Sequence, residues 1–529
     1  MELFPTPQTL FYTRRIGAAP AAPAASDDSQ VAAPEPSTIY AAAKLSGQLV
    51  SGISLGLVSA VMGRNDVTAQ PSSGPARALL AEPLDLANVA RIKVGIGQGA
   101  HIGVMATALQ RFEPDHAYPT VMQPGGMQLQ VCPDGSSTPV GARCFHDGYV
   151  AGLDSSWRST SGSYVVAGQA LVTSIQNGPP RTMLDGTVIA SGDTSPSGRL
   201  YIAKEGGQWL GSVEVQGVGR RVDYNDLGYL QRQNLIRTLP FLAYRTLDPF
   251  WEIAETETHV YAATRDNLDG VKLLRGYYGG GKVRFKNFWI LASDVYRYDT
   301  RFEDREVGDG TAIQRPSAYG WDASVSTDPR RQLAASLSTE SLFYDHKGGS
   351  FTLDGAITYQ PLPRLELQLV PQLTLSSGEA RFVPGTRAPG EPHLLFGDLR
   401  ARAVGGTLRA SYTFTNRLTL QLYGQLLLIS EHYSNFQSYN GTAMHPAIRI
   451  DDLTPVAAPQ TNPDSVETDL NLSAVLRWEF RPGSTLFLVY SRSQTPVTTI
   501  DGEAKLDLGV LRTGPASDAL RLKLSYYWN

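Results

Sequence analysis

Apolar and polar side chains alternate with a period of two in segment after segment of this chain, and that rhythm constrains its fold more than any other feature. It is plain in Leu365-Glu366-Leu367-Gln368-Leu369 running on to Leu373-Thr374-Leu375, and in Leu470-Asn471-Leu472-Ser473 running on to Leu476-Arg477-Trp478-Glu479-Phe480. It recurs near the end in Leu520-Arg521-Leu522-Lys523-Leu524. Successive side chains of a β-strand point to opposite faces, so each segment has one apolar face and one face of Arg, Glu, Gln, Ser and Thr. In a soluble sandwich the apolar face meets a second sheet. In a transmembrane barrel it meets lipid, and the strands need about 9–11 residues to cross.

Composition favours the second reading. Of 529 residues, 18% are charged and 42% hydrophobic, with 51 glycines and 24 tyrosines, a balance that suits a membrane barrel. The net charge of −4 gives no basic footprint, so a nucleic-acid partner is not expected. No stretch of about 18 apolar residues occurs; the best candidate, Ile53 to Met62, is short and carries Gly56 and Ser59. Helical spans are therefore excluded. The start, Met1-Glu2-Leu3-Phe4-Pro5-Thr6, has no basic region followed by an apolar core, so no signal peptide is visible. On a barrel reading the chain is then a fragment or a mature form, or its start is internal.

Residues 18–36 are rich in alanine and proline and read as a flexible excursion. Residues 1–36 form an N-terminal segment with a first strand, and 37–529 a single barrel. Tight turns fall near Val50-Ser51, Gly97-Gln98-Gly99, Ser161-Gly162, Gly206-Gly207, Asp248-Pro249 and five later places, separated by longer polar connections such as 112–146, 220–232, 302–316 and 438–466. Bacterial outer-membrane barrels sort their connections in this way, tight on the periplasmic side and long outside. The count comes to about 22 strands, an even number that puts both ends on the periplasmic side. Phe11-Tyr12, Phe250-Trp251, Tyr277-Tyr278, Phe288-Trp289, Tyr296 with Tyr298, and Tyr526-Tyr527-Trp528 cluster where strands should leave the apolar slab and read as an interfacial aromatic girdle.

Signals for chemistry are weak. Gly95-Ile96-Gly97-Gln98-Gly99 and Gly279-Gly280-Gly281-Lys282 lack the following helix that a phosphate site needs, so turns or strand kinks are expected. The eight histidines are scattered, and no GxSxG elbow is present. Neither a catalytic residue nor a cofactor nor a metal site is assigned. Asp223-Tyr224-Asn225-Asp226 and Asp451-Asp452 read as solvated turns rather than calcium loops. Cys132 and Cys144, the only cysteines, lie in a Gly/Pro/Ser-rich loop, where a disulfide is expected. If the apolar neighbours face lipid, then Asp354, Glu366, Gln368, Gln372, Arg409, Gln421, Gln425, Arg477, Glu479, Arg521 and Lys523 face a wet lumen.

Several stretches resemble a known family: Leu10-Phe11-Tyr12-Thr13-Arg14-Arg15-Ile16-Gly17, Ile39-Tyr40-Ala41-Ala42-Ala43-Lys44-Leu45-Ser46-Gly47, Asp223-Tyr224-Asn225-Asp226-Leu227-Gly228-Tyr229-Leu230, and Thr407 to Thr415 with Leu420-Gln421-Leu422-Tyr423. As a set they are similar to the bacterial outer-membrane barrel family catalogued as domain of unknown function 5916. That resemblance implies a signal peptide and a β-sandwich like family-9 carbohydrate-binding modules upstream, and Met1-Glu2-Leu3-Phe4 matches the end of the family's Phe-Phe-x-Glu-Gly-Met-x-Leu-Phe stretch.

The expected fold is all-β, a transmembrane antiparallel up-and-down β-barrel of about 22 strands. Its expected place is the outer membrane of a Gram-negative bacterium, with lipid as its first partner. The expected role is surface binding or passage of a polar or glycan-derived solute, without enzymatic activity. Two rivals stay open: an anchoring barrel that transports nothing, and a secreted sugar-active β-protein.

Overall fold

A computed structural model describes residues 3–24, 30–71, 73–97, 99–114, 118–123, 126–384, 394–441, 445–499, 505–512 and 514–527. Trp528, His116 and Gln98 lie outside these residues. The secondary structure is almost entirely strand, with three short 3-10 turns, and no described helix is long and apolar enough to cross a membrane. The principal sheet is an antiparallel up-and-down barrel of 21 long strands among the described residues, with the short strands Thr454–Pro455 and Val497–Thr499 attached. The class and count agree with the sequence reading.

The chain divides into two compact units. The first holds residues 1–242, 262–273 and 308–310; the second holds 243–261, 274–307 and 311–529. In the first unit, strands from Ile39–Val50 to Trp209–Val218 are joined by tight turns at 51–52, 96–99, 159–163 and 205–208, and by long connections at 63–83, 113–145, 178–193 and 219–234. In the second, tight turns at 286–289, 327–332, 363–364, 416–417 and 482–483 alternate with long connections at 299–317, 383–393, 440–464 and 495–515. The connections at 267–271 and 345–348 are short although they fall on the long side.

One face of each sheet carries exposed aliphatic side chains: Val104, Leu153 and Ile202 in the first unit, each about half exposed, and Val295, Leu408 and Leu522 in the second, more so. Every one of these would be buried in a sandwich. On the same face, near the tight turns, stand Trp157, Tyr164 and Trp209 in the first unit and Tyr359, Phe414 and Trp478 in the second, all at least 42% exposed. Aliphatic residues flanked by an aromatic row are what a lipid-facing surface requires. We call this face outer and the opposite one inner.

The first strand expected within residues 1–36 is only Gln30–Val31, which pairs with Asn65–Gln70 apart from the principal sheet. Residues 3–17 instead run along the inner face of the first unit. They start where Leu3 and Phe4 cover Gly56, next to the tight-turn end, and reach the long-connection end where the Gly17 amide donates to Met62 Sδ at 3.2 Å. The chain then enters Ile39–Val50 from that end. An odd number of long strands is thus accompanied by a segment that ascends inside.

Candidate functional site: the inner faces of the two units

The first unit's inner face is a packed core. One row of directly opposed positions runs Gly56, Arg91, Met105, Gly152, Leu171, Ser197 and Val218 across successive strands. The N-terminal segment fills the space over this row. Leu10 is 1% exposed and lies where a Cβ on Gly152 would meet its Cδ1 at 2.6 Å. Gln8 takes a hydrogen bond from Ser197 Oγ at 2.6 Å on its side-chain oxygen, while its own amide donates to Gln169 Oε1. The Tyr12 amide donates to the Leu227 carbonyl at 2.7 Å, and the Tyr229 amide to the Thr9 carbonyl at 2.9 Å. Below this cover Arg91 and Asp154, 1% and 4% exposed, form a bidentate pair, with His101 Nε2 3.4 Å from the same carboxylate. Buried charge of this kind is tolerated only when paired, because desolvation costs several kcal/mol per ion.

The connection 219–234 corrects the expectation of a solvated turn. Asp223, Tyr224 and Leu227 are 6%, 4% and 2% exposed, because Val222, Tyr224 and Leu227 join the core made by Leu10, Phe11, Met105 and Leu109. Asp226 bonds Arg111 Nη2 at 3.0 Å and His146 Nε2 at 3.1 Å. Burial alone would raise its pKa, but Arg111 and His146 override that and hold the carboxyl well below the usual range. Burial pushes the neighbouring Tyr224 phenol up to about 12. Arg111 also reaches Glu82 at 3.1 Å, and Arg181 pairs with Asp223 at 2.8 Å. Cys132 and Cys144 form a disulfide in the connection 113–145, where the Glu113 carboxylate accepts from the Cys144 amide at 2.9 Å.

The second unit's inner face is different in kind. All eleven residues expected to face water, Asp354, Glu366, Gln368, Gln372, Arg409, Gln421, Gln425, Arg477, Glu479, Arg521 and Lys523, share the face opposite to Leu369, Leu408 and Leu472. Gln368 and Asp354 stand directly opposite Arg409 and Gln372. Arg409 Nη1 donates to Gln368 Oε1 at 3.0 Å and lies 5.7 Å from the Tyr423 ring. Arg477 reaches Glu479 at 3.3 Å. The cross-strand pairs are partly exposed, and among the described residues no apolar cluster lies above them; a buried cluster of this unit, Ile313, Leu394, Phe396, Ile448 and Leu453, belongs to the long-connection end.

The same face carries Tyr278, Tyr296 and Tyr298, which the sequence places in the interfacial girdle; their parity, opposite to that of the exposed Val295, turns them inward instead. Tyr261 and Tyr278 stack at 4.2 Å between centroids, Tyr298 meets Tyr278 edge-on at 5.9 Å, and Tyr296 donates to Glu340 at 2.7 Å. Asp294, Asp322 and Glu340 stand directly opposite one another on three adjacent strands, and His259 Nε2 approaches Asp294 at 2.8 Å. Gly280 and Gly320 lie within unbroken strands and make room: a Cβ on Gly280 would strike Asp294, and one on Gly320 the Tyr296 ring. Four of the histidines, His101, His146, His259 and His432, thus approach an aspartate. Among the described residues no group of three or more His, Cys, Asp or Glu is arranged to hold a metal ion.

A barrel wall with aliphatic residues outside and polar or self-filled faces inside defines a transmembrane β-barrel protein. The chain belongs to the family described as Domain of unknown function (DUF5916), whose model matches residues 1–114 and 140–529. No curated protein matches the chain. Among solved structures it is similar to a chain titled "Copper transporter OprC", with 11% identity over 89% of this chain and 75% of that one and a TM-score of 0.33.

Proposed function

We propose that the protein resides in the outer membrane of a Gram-negative bacterium and binds or passes a polar, glycan-type solute along the inner face of the second unit. The observation that supports this reading most is the division of that unit's strands: leucines outside, and partly exposed Arg, Gln, Glu and tyrosine side chains inside, with no core over them among the described residues. Tyrosine faces offer C–H stacking surfaces, and guanidinium and carboxylate groups offer paired hydrogen bonds to vicinal hydroxyls. The protein is not an enzyme in this reading, and it needs no cofactor. The test is conductance of the purified protein in planar bilayers, together with liposome swelling in neutral sugars. Steady current whose cation preference rises in Arg409→Glu supports passage.

An anchoring barrel is the second reading, favoured by the filled inner face of the first unit. It predicts no current under the same conditions. Recovery of the protein in the aqueous phase without detergent would rule against both and for a secreted β-protein.

A further inference from the structure

At the long-connection end of the first unit, the N-terminal segment, the strand ends and the connection 219–234 enclose a cavity of about 380 Å³. Its size lies at the small end of ligand pockets. Five carboxylates line it against three arginines and one histidine; Asp134 is exposed, and the other four are buried or half-buried. The arginines are already engaged. Arg111 is held by Glu82 and Asp226, Arg181 by Asp223 at 2.8 Å, and Arg15 by the Gly228 carbonyl at 3.1 Å and Asn225 at 3.4 Å. Asp85 is left over. It is 3% exposed, it lines the cavity, and its Oδ1 has no hydrogen-bond partner. A buried carboxylate oxygen without a donor costs free energy that a native fold seldom leaves uncompensated.

We propose that this cavity binds a small organic cation whose primary ammonium donates to Asp85. An ammonium group supplies the missing donor and offsets the surplus of carboxylates in one step, whereas a neutral hydroxyl supplies only the donor. The apolar part of the ligand would rest on Met62, Leu109 and Phe145, which share the lining. This site is separate from the inner face of the second unit and stands or falls independently of solute passage there.

The test is calorimetric titration of the full chain in detergent micelles with glucosamine, N-acetylglucosamine and glucose near neutral pH. These three share a ring and differ in the ammonium group. Glucosamine is expected to bind at least tenfold more tightly than the other two, and to lose at least tenfold in Asp85→Asn. Equal binding of all three, no binding of glucosamine, or an unchanged affinity in Asp85→Asn would overturn the proposal. So would displacement of glucosamine by an equal concentration of sodium ions, which would assign the cavity to an inorganic cation. The ligand series decides the matter even if Asp85→Asn fails to fold.

Discussion

In the first unit the inner face of the sheet is dry, with Ala87 and Met105 at 0% exposure, while in the second the corresponding face is lined by Gln368, Arg409 and their partly exposed neighbours. The outer faces do not differ in this way; both carry exposed aliphatic residues and a row of aromatics beside the tight turns. The lesson is that the outer face answers to one demand, contact with hydrocarbon, and so looks alike everywhere, whereas the inner face answers to whatever covers it. In the first unit residues 3–17 and the connection 219–234 do the covering.

The largest effect that would sharpen this contrast lies beneath the cover. Arg91→Ala should destabilise the protein by about 3–5 kcal/mol, because Asp154 would remain as an uncompensated buried charge. Thermal unfolding followed by loss of the compact band on unheated gels reads it. Leu10→Ala comes next, at about 2–5 kcal/mol for a fully buried leucine whose site cannot collapse. If residues 3–17 merely rested on the wall, this change would cost almost nothing.

On the outer face, Leu369→Arg and Leu472→Arg should each cost about 2–4 kcal/mol near the bilayer midplane. The adjacent Gln368→Arg and Asn471→Arg should be mild in comparison, and refolding titrations into lipid vesicles would measure the difference. A smaller effect depends on pH. Asp226 is held below the ordinary carboxylate value in the fold, so its contribution is complete above the unfolded pKa of about 4 and is lost as pH falls below it. Asp226→Asn should flatten the decline in stability below about pH 4. Smallest of all, Arg409→Ala should change stability by under about 1 kcal/mol, since its partners are partly exposed, while altering ion selectivity if the proposed passage is real.

The sequence made the second unit easier to read than the first. Segments such as Leu365 to Leu375 alternate strictly, because only one of their faces is apolar, and the parity of their leucines assigns every strand residue to a face. In the first unit the rhythm blurs: Val104-Met105, Val165-Val166 and Leu171-Val172 place apolar residues on both faces. Strands covered on both sides read this way, so the blur itself was the available signal that something occupies the inner side. What occupies it was not legible, since Leu10 meets Gly152 only through the fold. The inward turn of Asp223 to Asp226 was hidden for the same reason: four polar residues in a row look like solvent, and only the approach of Arg111 and His146 shows otherwise. Tyr278, Tyr296 and Tyr298 read as girdle aromatics because each is an ordinary strand aromatic by itself, and their inward cluster with Tyr261 forms only when three separate strands come side by side.

The central claim is that the leucine side of these strands faces hydrocarbon. The most direct measurement uses Leu472→Cys and Asn471→Cys, each carrying an environment-sensitive fluorophore, in a protein whose own two cysteines are joined to each other. Reconstituted into bilayers containing brominated lipid, the probe at position 472 should be blue-shifted and strongly quenched, and the probe at 471 should be neither. Equal quenching at the two positions, or quenching at 471 alone, would contradict the account.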